Sequence, residues 1–252
     1  MTTIDLAGRV VVVTGGTRGL GAEMADAFAA AGASVVVSSR KAEACADVSA
    51  RLTETYGVRC LGLPAHVGHW DDCGRLVDGV YAEFGRLDVL VNNAGIAPLY
   101  ESLEAVTEEL FDKTIDVNLK GPFRMTAVAG PRMAAAGSGS IINVSSIAAV
   151  RPKATDLVYA AAKAGLNTLT QGFAQAYGPQ VRVNTIMAGP FLTELSRAWH
   201  TPEWRERARA FPLARAGEPR EVVGAALYFG SDLSTFTTGT VLPVDGGRTS
   251  QS

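Results

Sequence analysis

The fold is decided by the stretch Val10-Val11-Val12-Val13-Thr14-Gly15-Gly16-Thr17-Arg18-Gly19-Leu20-Gly21, which runs directly into the helical pattern Ala22–Ala31. A continuous run of valines predicts a buried strand, and the glycines allow a sharp turn with close backbone approach to a ligand. Unpaired N–H groups at the start of the next helix favour a pyrophosphate. We predict a phosphate-binding turn whose contacts are Gly15, Thr17, Arg18, Gly19 and Leu20. The alternative is a purely structural turn.

Strand patterns and helical patterns alternate along most of the chain. The strand patterns are Val10–Thr14, Ser34–Ser38, Cys60–Pro64, Val89–Asn92, Ser140–Val144, Val181–Ile186 and Val241–Val244. The helical patterns are Leu20–Ala31, Ala42–Tyr56, Asp71–Phe84, Thr107–Ala136 and Tyr159–Tyr177. The alternation predicts an α/β Rossmann fold: a doubly wound, seven-stranded parallel sheet with helices on both faces.

We expect one dinucleotide-binding domain over residues 1–252, because no linker or repeat divides the chain. The segment Phe191–Arg220 interrupts the alternation with aromatic and arginine residues. It predicts a small helical substrate flap after strand six, at about residues 190–220. The flap is either an amphipathic helix packed on the body or a mobile lid over a ligand.

The composition excludes several classes of protein. The chain has 252 residues, 47% of them hydrophobic, but no apolar stretch long enough to span a membrane. Its start resembles neither a secretory signal nor a transit peptide, so we expect a cytoplasmic protein. The isolated cysteines and histidines match no disulfide framework or metal motif, and we expect no metal. A net charge of −2 gives no reason to expect nucleic acid or an anionic membrane as a partner.

The residues after the second strand bear on which dinucleotide binds. Ser38-Ser39-Arg40-Lys41 stands where an NAD-binding domain usually offers an acidic residue to the adenosine ribose. Ser39 and Arg40 instead provide a hydroxyl and a guanidinium, which suit a 2′-phosphate, and Arg18 adds a second positive charge. The pattern favours NADP(H) over NAD(H). In the alternative, Arg40 and Lys41 only begin a solvated helix.

A second motif, Tyr159-Ala160-Ala161-Ala162-Lys163, places a phenol and an ammonium on one face of a predicted helix. A lysine held beside a tyrosine and a cofactor favours the phenolate and lowers the pKa of the phenol toward physiological pH. Tyr159 would then be a usable proton donor and acceptor. The alternative is a half-buried tyrosine beside a solvated lysine.

Together with Asn92-Asn93-Ala94-Gly95, Asn118 and Ser146, these motifs give a chain that resembles the short-chain dehydrogenase/reductase family over nearly its full length. The resemblance implies that Tyr159 exchanges a proton with the substrate oxygen, which Ser146 holds. It also implies that Lys163 binds the nicotinamide ribose and that Asn118 steadies a water joining Lys163 to solvent. Asn118 is alternatively a helix-kink residue that bonds its own backbone, and the two roles are compatible.

The resemblance extends the set of cofactor contacts. The additional residues that it implies are His66, Val67, Asn92, Ala94, Gly95, Tyr159, Lys163, Gly189 and Thr193. Two positions depart from the family pattern. His66-Val67 replaces the usual Asp-Val facing adenine, so His66 would substitute through a ring nitrogen. Ala188-Gly189-Pro190 keeps the glycine of the usual Pro-Gly but moves the proline.

The resemblance implies an NADP(H)-dependent oxidoreductase that interconverts a ketone or aldehyde and an alcohol. A 3-oxoacyl thioester reductase of fatty-acid or polyketide type and an NAD-dependent alcohol dehydrogenase remain as alternatives. Met133–Ser138 lacks the basic residues with which fatty-acid ketoacyl reductases of the family meet a carrier protein, whereas Arg124 and Arg132 favour such a partner. Enoyl reductases usually space the Tyr and Lys more widely. A non-enzymatic NADP sensor is a further hypothesis.

The expected substrate wall is apolar and aromatic, which favours a hydrophobic small molecule. It comprises Pro98, Leu99, Tyr100, Ile147, Ala148, Leu157, Pro190, Phe191, Leu195 and Trp199. Polar residues at the rim, namely Lys153, Thr155 and Asp156, would instead favour a polar or anionic group. The resemblance also implies a homotetramer or homodimer that pairs the helices Lys113–Ala136 and Tyr159–Tyr177, and the alternative is a monomer.

Overall fold

A seven-stranded parallel sheet forms the centre of the protein, in the order β3-β2-β1-β4-β5-β6-β7. The computed structural model describes residues 4–194, 196 and 201–250. Within the last range, it describes only the main chain of Arg205 and Arg207. The strands are β1 (Val10–Thr14), β2 (Ser34–Ser38), β3 (Cys60–Gly62), β4 (Val89–Asn92), β5 (Gly139–Ser146), β6 (Val181–Ala188) and β7 (Val241–Val244). The order reverses direction between β1 and β4, as in a Rossmann fold, which confirms the predicted fold class.

Helices cover both faces of the sheet. They are α1 (Gly19–Ala30), α2 (Ala42–Tyr56), α3 (Trp70–Phe84), α4 (Glu108–Ile115), α5 (Gly121–Ala135), α6 (Leu157–Tyr177), α7 (Pro202–Ala208) and α8 (Val223–Gly230). Within the described ranges, none of them has the length and apolar character that crossing a membrane requires.

The alternation of side chains along β1 divides the apolar core in two. Val11 and Val13 belong to the cluster that contains Phe28 of α1 and Phe229 of α8. Val10 and Val12 face the opposite cluster, which is formed with α3 and α5. Because both faces of the strand are buried, the sequence reads as an unbroken run of valines instead of an alternating pattern.

Several predicted boundaries were wrong, because strand pairing and helix register depend on neighbours. The strand β3 ends at Gly62 and not at Pro64, since it pairs only with Val35–Val37 of β2. The strands β5 and β6 are longer than predicted, because they pair with each other from Gly139–Val181 to Ser146–Ala188.

The predicted helix Thr107–Ala136 is in fact three consecutive pieces: α4, a π-helical segment Asp116–Lys120, and α5. In the predicted flap, the described residues form the short helix α7, an isolated bridge between Phe191 and Gly217, and the start of a 3-10 helix at Pro219–Val222. The predicted substrate-wall residues Leu195 and Trp199 lie outside the described residues.

A buried chain of polar side chains joins the middle strands to the helices above them. The Asn92 amide donates to Asn143 Oδ1 at 2.9 Å and to Thr126 Oγ1 at 3.1 Å. The Asn143 amide donates to Thr170 Oγ1 at 2.9 Å, and Thr170 Oγ1 lies 2.6 Å from Thr185 Oγ1. All five side chains are buried. Each is satisfied mainly by another member, so the chain fixes the relative positions of β4, β5, β6 and α6.

We expect Asn143→Ala to lower the free energy of unfolding by about 1–3 kcal/mol, because it leaves the buried amide of Asn92 and the hydroxyl of Thr170 short of a partner. Urea unfolding monitored by circular dichroism measures this, with the slope m unchanged. The control is Thr55→Ala, whose hydroxyl makes an exposed bond to Arg51 O and whose loss should cost less than about 0.5 kcal/mol. Equal costs for the two variants would contradict a structural role for the polar chain.

Candidate active site

The glycine-rich turn is fastened to the end of β4. Thr14 Oγ1 donates to Val91 O at 3.1 Å and accepts from the main-chain N–H groups of Asn93 and Ala94 at 3.0 and 3.2 Å. The Asn93 amide donates to Thr14 O at 2.9 Å and to Gly15 O at 3.2 Å. These bonds hold the turn after β1 and the loop after β4 as one unit at the carboxyl edge of the sheet.

The turn itself requires glycine for two separate reasons. Gly15 has a φ of +65°, in the left-handed region that glycine adopts without strain. At Gly21, a Cβ would lie 2.2 Å from Gly15 O, so the first turn of α1 packs directly against the loop. The N-cap residue Arg18 makes no side-chain capping bond. The first N–H groups of α1 therefore suit an anion, as predicted for this turn.

The start of the flap lies close to this turn. Arg18 Nη1 and Glu194 Oε2 form an exposed ion pair at 3.4 Å. A Cβ at Gly19 would lie 3.6 Å from the Thr193 side chain. Thr193 Oγ1 lies 3.2 Å from Ser196 Oγ, so its hydroxyl already has a partner in the flap. Two of the predicted cofactor residues, Gly19 and Thr193, are thus neighbours although they are far apart in the sequence.

The residues predicted to select NADP lie at the end of β2. Arg40 is exposed, whereas Ser39 is held by the buried thiol of Cys45. The Ser39 N–H donates to Cys45 Sγ at 3.1 Å, and Ser39 Oγ lies 3.2 Å from the same sulfur. The His66 imidazole is close enough to Arg40 for the guanidinium charge to help lower the pKa of the ring. The structure therefore brings Ser39, Arg40 and His66 together at this edge.

The candidate catalytic residues converge where β5 meets α6. Ser146, the last residue of β5, accepts the Ala148 N–H on its Oγ at 3.1 Å, which leaves its own proton to donate. Its hydroxyl lies near enough to the phenol of Tyr159 to oppose a rise in the pKa of that phenol. Tyr159 stands in the first turn of α6, because that helix begins at Leu157.

The ammonium of Lys163 lies behind the tyrosine. Lys163 Nζ donates to Val144 O at 2.8 Å and lies 5.8 Å from the centre of the Tyr159 ring. The side chain is only 3% exposed. Burial lowers the pKa of Lys163 from 10.5 to about 8. Keeping the ammonium charged in the folded protein therefore costs free energy.

The predicted direction of the pKa shift at Tyr159 was wrong. Burial raises the pKa of Tyr159 above its ordinary value, and the nearby hydroxyl of Ser146 only partly opposes this rise. The ammonium of Lys163, which is bonded to Val144 O, does not offset it. Desolvation is a property of the folded environment, and the spacing of two residues on a helix does not reveal it.

Asn118 is completely buried in the π-helical segment. Its amide donates to Ile96 O and to Thr114 O, both at 2.9 Å, and its Oδ1 accepts the Ile96 N–H at 3.2 Å. The bond to Thr114 is made to its own helix, one turn earlier. A Cβ at Gly95 would lie 2.9 Å from Asn118 Oδ1 and 3.6 Å from Lys163 Nζ, so Gly95, Asn118 and Lys163 meet at one point.

Comparison with known proteins identifies the family. A family model described as "Enoyl-(Acyl carrier protein) reductase" matches residues 15–249. "Dehydrogenase/reductase SDR family member 4" of Pongo abelii is 37% identical over 100% of this chain and 91% of its own length. "NAD-dependent glycerol dehydrogenase" of Listeria innocua is 35% identical over 97% of this chain and 95% of its own. The chain belongs to the short-chain dehydrogenase/reductase family.

A solved structure of a gluconate 5-dehydrogenase from Burkholderia cenocepacia J2315, in complex with NADP and tartrate, superposes with a TM-score of 0.94. It is 32% identical, and the match covers 99% of this chain and 98% of that one. Short-chain dehydrogenases use nicotinamide dinucleotides. The residues present fit such a group, because the N-terminus of α1 after the glycine-rich turn has no side-chain cap and the buried ammonium of Lys163 has N–H groups beyond its bond to Val144 O.

Three residues of the predicted cofactor set make close contacts within the protein. Asn92 is only 2% exposed and its amide belongs to the buried polar chain, so its side chain does not reach the cleft. Gly95 meets Asn118 and Lys163. At Gly189, a Cβ would lie 2.4 Å from Asp245 Cα, so packing against the chain after β7 already requires this glycine. Among the predicted wall residues, Phe191 is buried and touches Gly217.

Two residues that shape the site were not predicted from the sequence, and a third has a role beyond the predicted one. Thr14 and Asn93 fasten the glycine-rich turn, and the signal available was their position at the ends of strands that become neighbours. Tyr100 was assigned only to the substrate wall. Its phenol oxygen accepts the Leu157 N–H at 2.6 Å, so it also caps the helix that carries Tyr159. No local pattern in the sequence predicts this bond, because Tyr100 lies in the loop after β4 and Leu157 begins α6.

The buried ammonium predicts an unusual dependence of stability on pH. The pKa of Lys163 is 10.5 ordinarily and about 8 in the folded protein, so folding disfavours its charged form. The cost is complete below pH 8 and disappears as the pH rises through 10.5, a change of about 3 kcal/mol. We therefore expect the stability of Lys163→Met, relative to wild type, to fall by about this amount across that window.

Urea unfolding of both proteins at the two ends of the window measures the difference. The comparison is insensitive to the lost bond to Val144 O, which affects Lys163→Met equally at every pH. Lys113→Met, at an exposed lysine of α4, is the control for loss of a surface ammonium. A difference between Lys163→Met and wild type that does not change with pH would show that the ammonium is not desolvated.

Proposed function

We propose that this short-chain dehydrogenase interconverts a ketone or aldehyde and the corresponding alcohol with NADP(H), using Tyr159 as general acid and base. The observation that carries the proposal is the convergence of Ser146, at the end of β5, with Tyr159 in the first turn of α6 and the buried ammonium of Lys163, which lies 5.8 Å from the centre of the Tyr159 ring. A proton donor, an oxyanion-stabilising hydroxyl and a cation in this arrangement suit chemistry at a C–O bond. A binding module would need none of the three.

Each residue has a distinct task in the proposed reaction. When bound, the dinucleotide supplies or accepts the hydride. Tyr159 exchanges a proton with the substrate oxygen, and Ser146 holds that oxygen with the hydroxyl proton that its bond from Ala148 N–H leaves to donate. Lys163 has one of its three N–H groups on Val144 O and two left for ribose hydroxyls. Asn118 acts through position, because it ties the Ile96 loop to α4 beside Lys163.

The raised pKa of Tyr159 bears on the favoured direction. A phenol whose pKa lies above its ordinary value of 10.0 stays protonated at neutral pH. It can give a proton to a carbonyl oxygen, whereas removing a proton from an alcohol needs the phenolate. We therefore expect carbonyl reduction to be favoured near neutral pH and alcohol oxidation to increase at more alkaline pH.

We expect Tyr159→Phe to reduce turnover of an apolar ketone about 10²- to 10⁴-fold, because the proton donor is lost. Dinucleotide binding, measured by energy transfer from tryptophan to the reduced nicotinamide, should remain. The control is Tyr56→Phe, which removes a phenol from the surface of α2 and should leave turnover unchanged. Full turnover by Tyr159→Phe would overturn the assignment.

The same assay addresses the enoyl chemistry that the description of the family model names. An enoyl thioester is offered beside the ketone, at matched chain length. Reduction of the ketone alone supports the proposal. Reduction of the thioester's carbon–carbon double bond alone would replace it with enoyl reduction. A carrier-bound 3-oxoacyl substrate that reacts faster than its free ester would favour the ketoacyl alternative.

The preference for NADP(H) rests on the charges at the end of β2. Arg40 is exposed there, and no acidic residue follows the strand to bind the ribose hydroxyls. Arg18 is near enough to Glu194 to be partly neutralised, so Arg40 is the stronger candidate for a 2′-phosphate. The relatives include both an NAD-dependent enzyme and a structure with NADP, so the assignment depends on this chain's own residues.

We expect Arg40→Ala to raise the dissociation constant of NADPH about tenfold or more and to leave that of NADH unchanged, because a charge-assisted bond to phosphate is lost. The control, Arg59→Ala, removes an exposed guanidinium that pairs with Glu83 and should affect neither dinucleotide. Equal binding of NADH and NADPH by the wild type would instead favour the NAD-dependent alcohol dehydrogenase.

A further inference from the structure

One side chain ties the loop segment 97–106, which lies between β4 and α4, to a distant part of the chain. Residues 101–105 of this segment are all exposed, and its other hydrogen bonds join residues within the segment itself. The Leu157 N–H donates to the phenol oxygen of Tyr100 at 2.6 Å. Among the described residues, this is the only hydrogen bond that links the segment to another element of the fold.

The start of α6 needs an acceptor from outside the helix, because the first N–H groups of a helix have no partner within it. Asp156 stands at the N-cap, where an aspartate usually supplies that acceptor. Here its carboxylate accepts the Lys153 N–H at 2.8 Å instead, and it makes no capping bond to α6. The phenol oxygen of Tyr100 takes its place at Leu157, so one bond satisfies the helix and fixes the segment.

The path of this loop brings it alongside the candidate catalytic residues. The loop passes Lys163 at Gly95, where a Cβ would lie 3.6 Å from the ammonium nitrogen. It then reaches the first residue of α6 through the bond between Tyr100 and Leu157. Lys163 and Leu157 are about 9 Å apart along the axis of α6, and Tyr159 lies between them. The loop therefore follows the first turns of α6 and borders the space in front of Tyr159.

We propose that Tyr100 is a specificity-determining residue for the carbonyl substrate, because its phenol oxygen holds segment 97–106 as a fixed wall beside Tyr159. The inference rests on the proposed function, in which the substrate oxygen lies at Tyr159 and Ser146. A large substrate extends past these two hydroxyls and contacts the wall, whereas a small one does not. Without the bond to Leu157, a large substrate would have to order the segment on binding, which weakens its affinity.

Steady-state kinetics of Tyr100→Phe with acetone and acetophenone test the proposal. The variant keeps the ring and removes only the oxygen that accepts the Leu157 N–H. We expect the KM of acetophenone to rise about three- to tenfold, which is the usual effect of losing one hydrogen bond. The KM of acetone, and kcat for both ketones, should stay within about twofold of wild type, because Tyr159 and Ser146 are unchanged.

A matched control is Tyr228→Phe. The phenol oxygen of Tyr228 lies 2.8 Å from Thr237 Oγ1, outside the candidate catalytic group, so this variant loses a comparable hydrogen bond. It should leave the KM of both ketones unchanged. If the bond of Tyr100 served only to stabilise α6, Tyr100→Phe would displace Tyr159 and lower kcat for both ketones together, without changing the ratio of their KM values. That result would overturn the proposal.

Hydrogen exchange at the Leu157 amide tests the tether without a substrate. This N–H has no acceptor within α6, so its protection depends on the phenol oxygen of Tyr100. By NMR, we expect it to exchange about three- to tenfold faster in Tyr100→Phe than in the wild type or in Tyr228→Phe. Unchanged exchange would overturn this proposal and leave the proposed function intact. Faster exchange in a protein that reduces no ketone would overturn the proposed function and, with it, the specificity assigned to Tyr100.

Discussion

The hydroxyl of Thr14 is the interaction on which the rest of the site depends. Parallel strands splay apart at their carboxyl ends, where each chain turns away into a helix. Thr14 accepts the N–H groups of Asn93 and Ala94 and donates to Val91, so the ends of β1 and β4 stay joined at the point where the sheet order reverses. These bonds fix the position of the glycine-rich turn and, through the turn, the start of α1.

A second polar element supports the other half of the cleft. The side chains from Asn92 to Thr185 cross the middle of the sheet below Ser146 and Tyr159, and they leave α6 little freedom to slide. In the same region, the ammonium of Lys163 lowers the stability of the fold, because it is desolvated and its pKa falls to about 8. The protein therefore combines a hydrogen-bonded polar interior with a buried ammonium that opposes folding, as expected of a group retained for chemistry.

The sequence predicted those features that follow from local pattern. The valines of β1 indicated a strand buried on both faces, and the glycine-rich turn, Ser146, Tyr159 and Lys163 were recognisable by type and spacing. The features it did not predict depend on which segments become neighbours. The extent of β5 follows from its pairing with β6, and the raised pKa of Tyr159 follows from enclosure by other segments. The phenol oxygen of Tyr100 accepts the N–H of Leu157 at the start of α6, and no local pattern predicts that contact.

The π-helical segment Asp116–Lys120 gives Asn118 its place, and it also links two helices in a particular way. A π turn is equivalent to one residue more than an α-helical turn holds, and an α-helix advances about 100° for each residue. Without the extra residue, α4 and α5 would be rotated relative to each other by about that angle. The surplus residue thus acts as a phase shift between two helices, and the chain tolerates neither an insertion nor a deletion there without turning one of them away from the sheet.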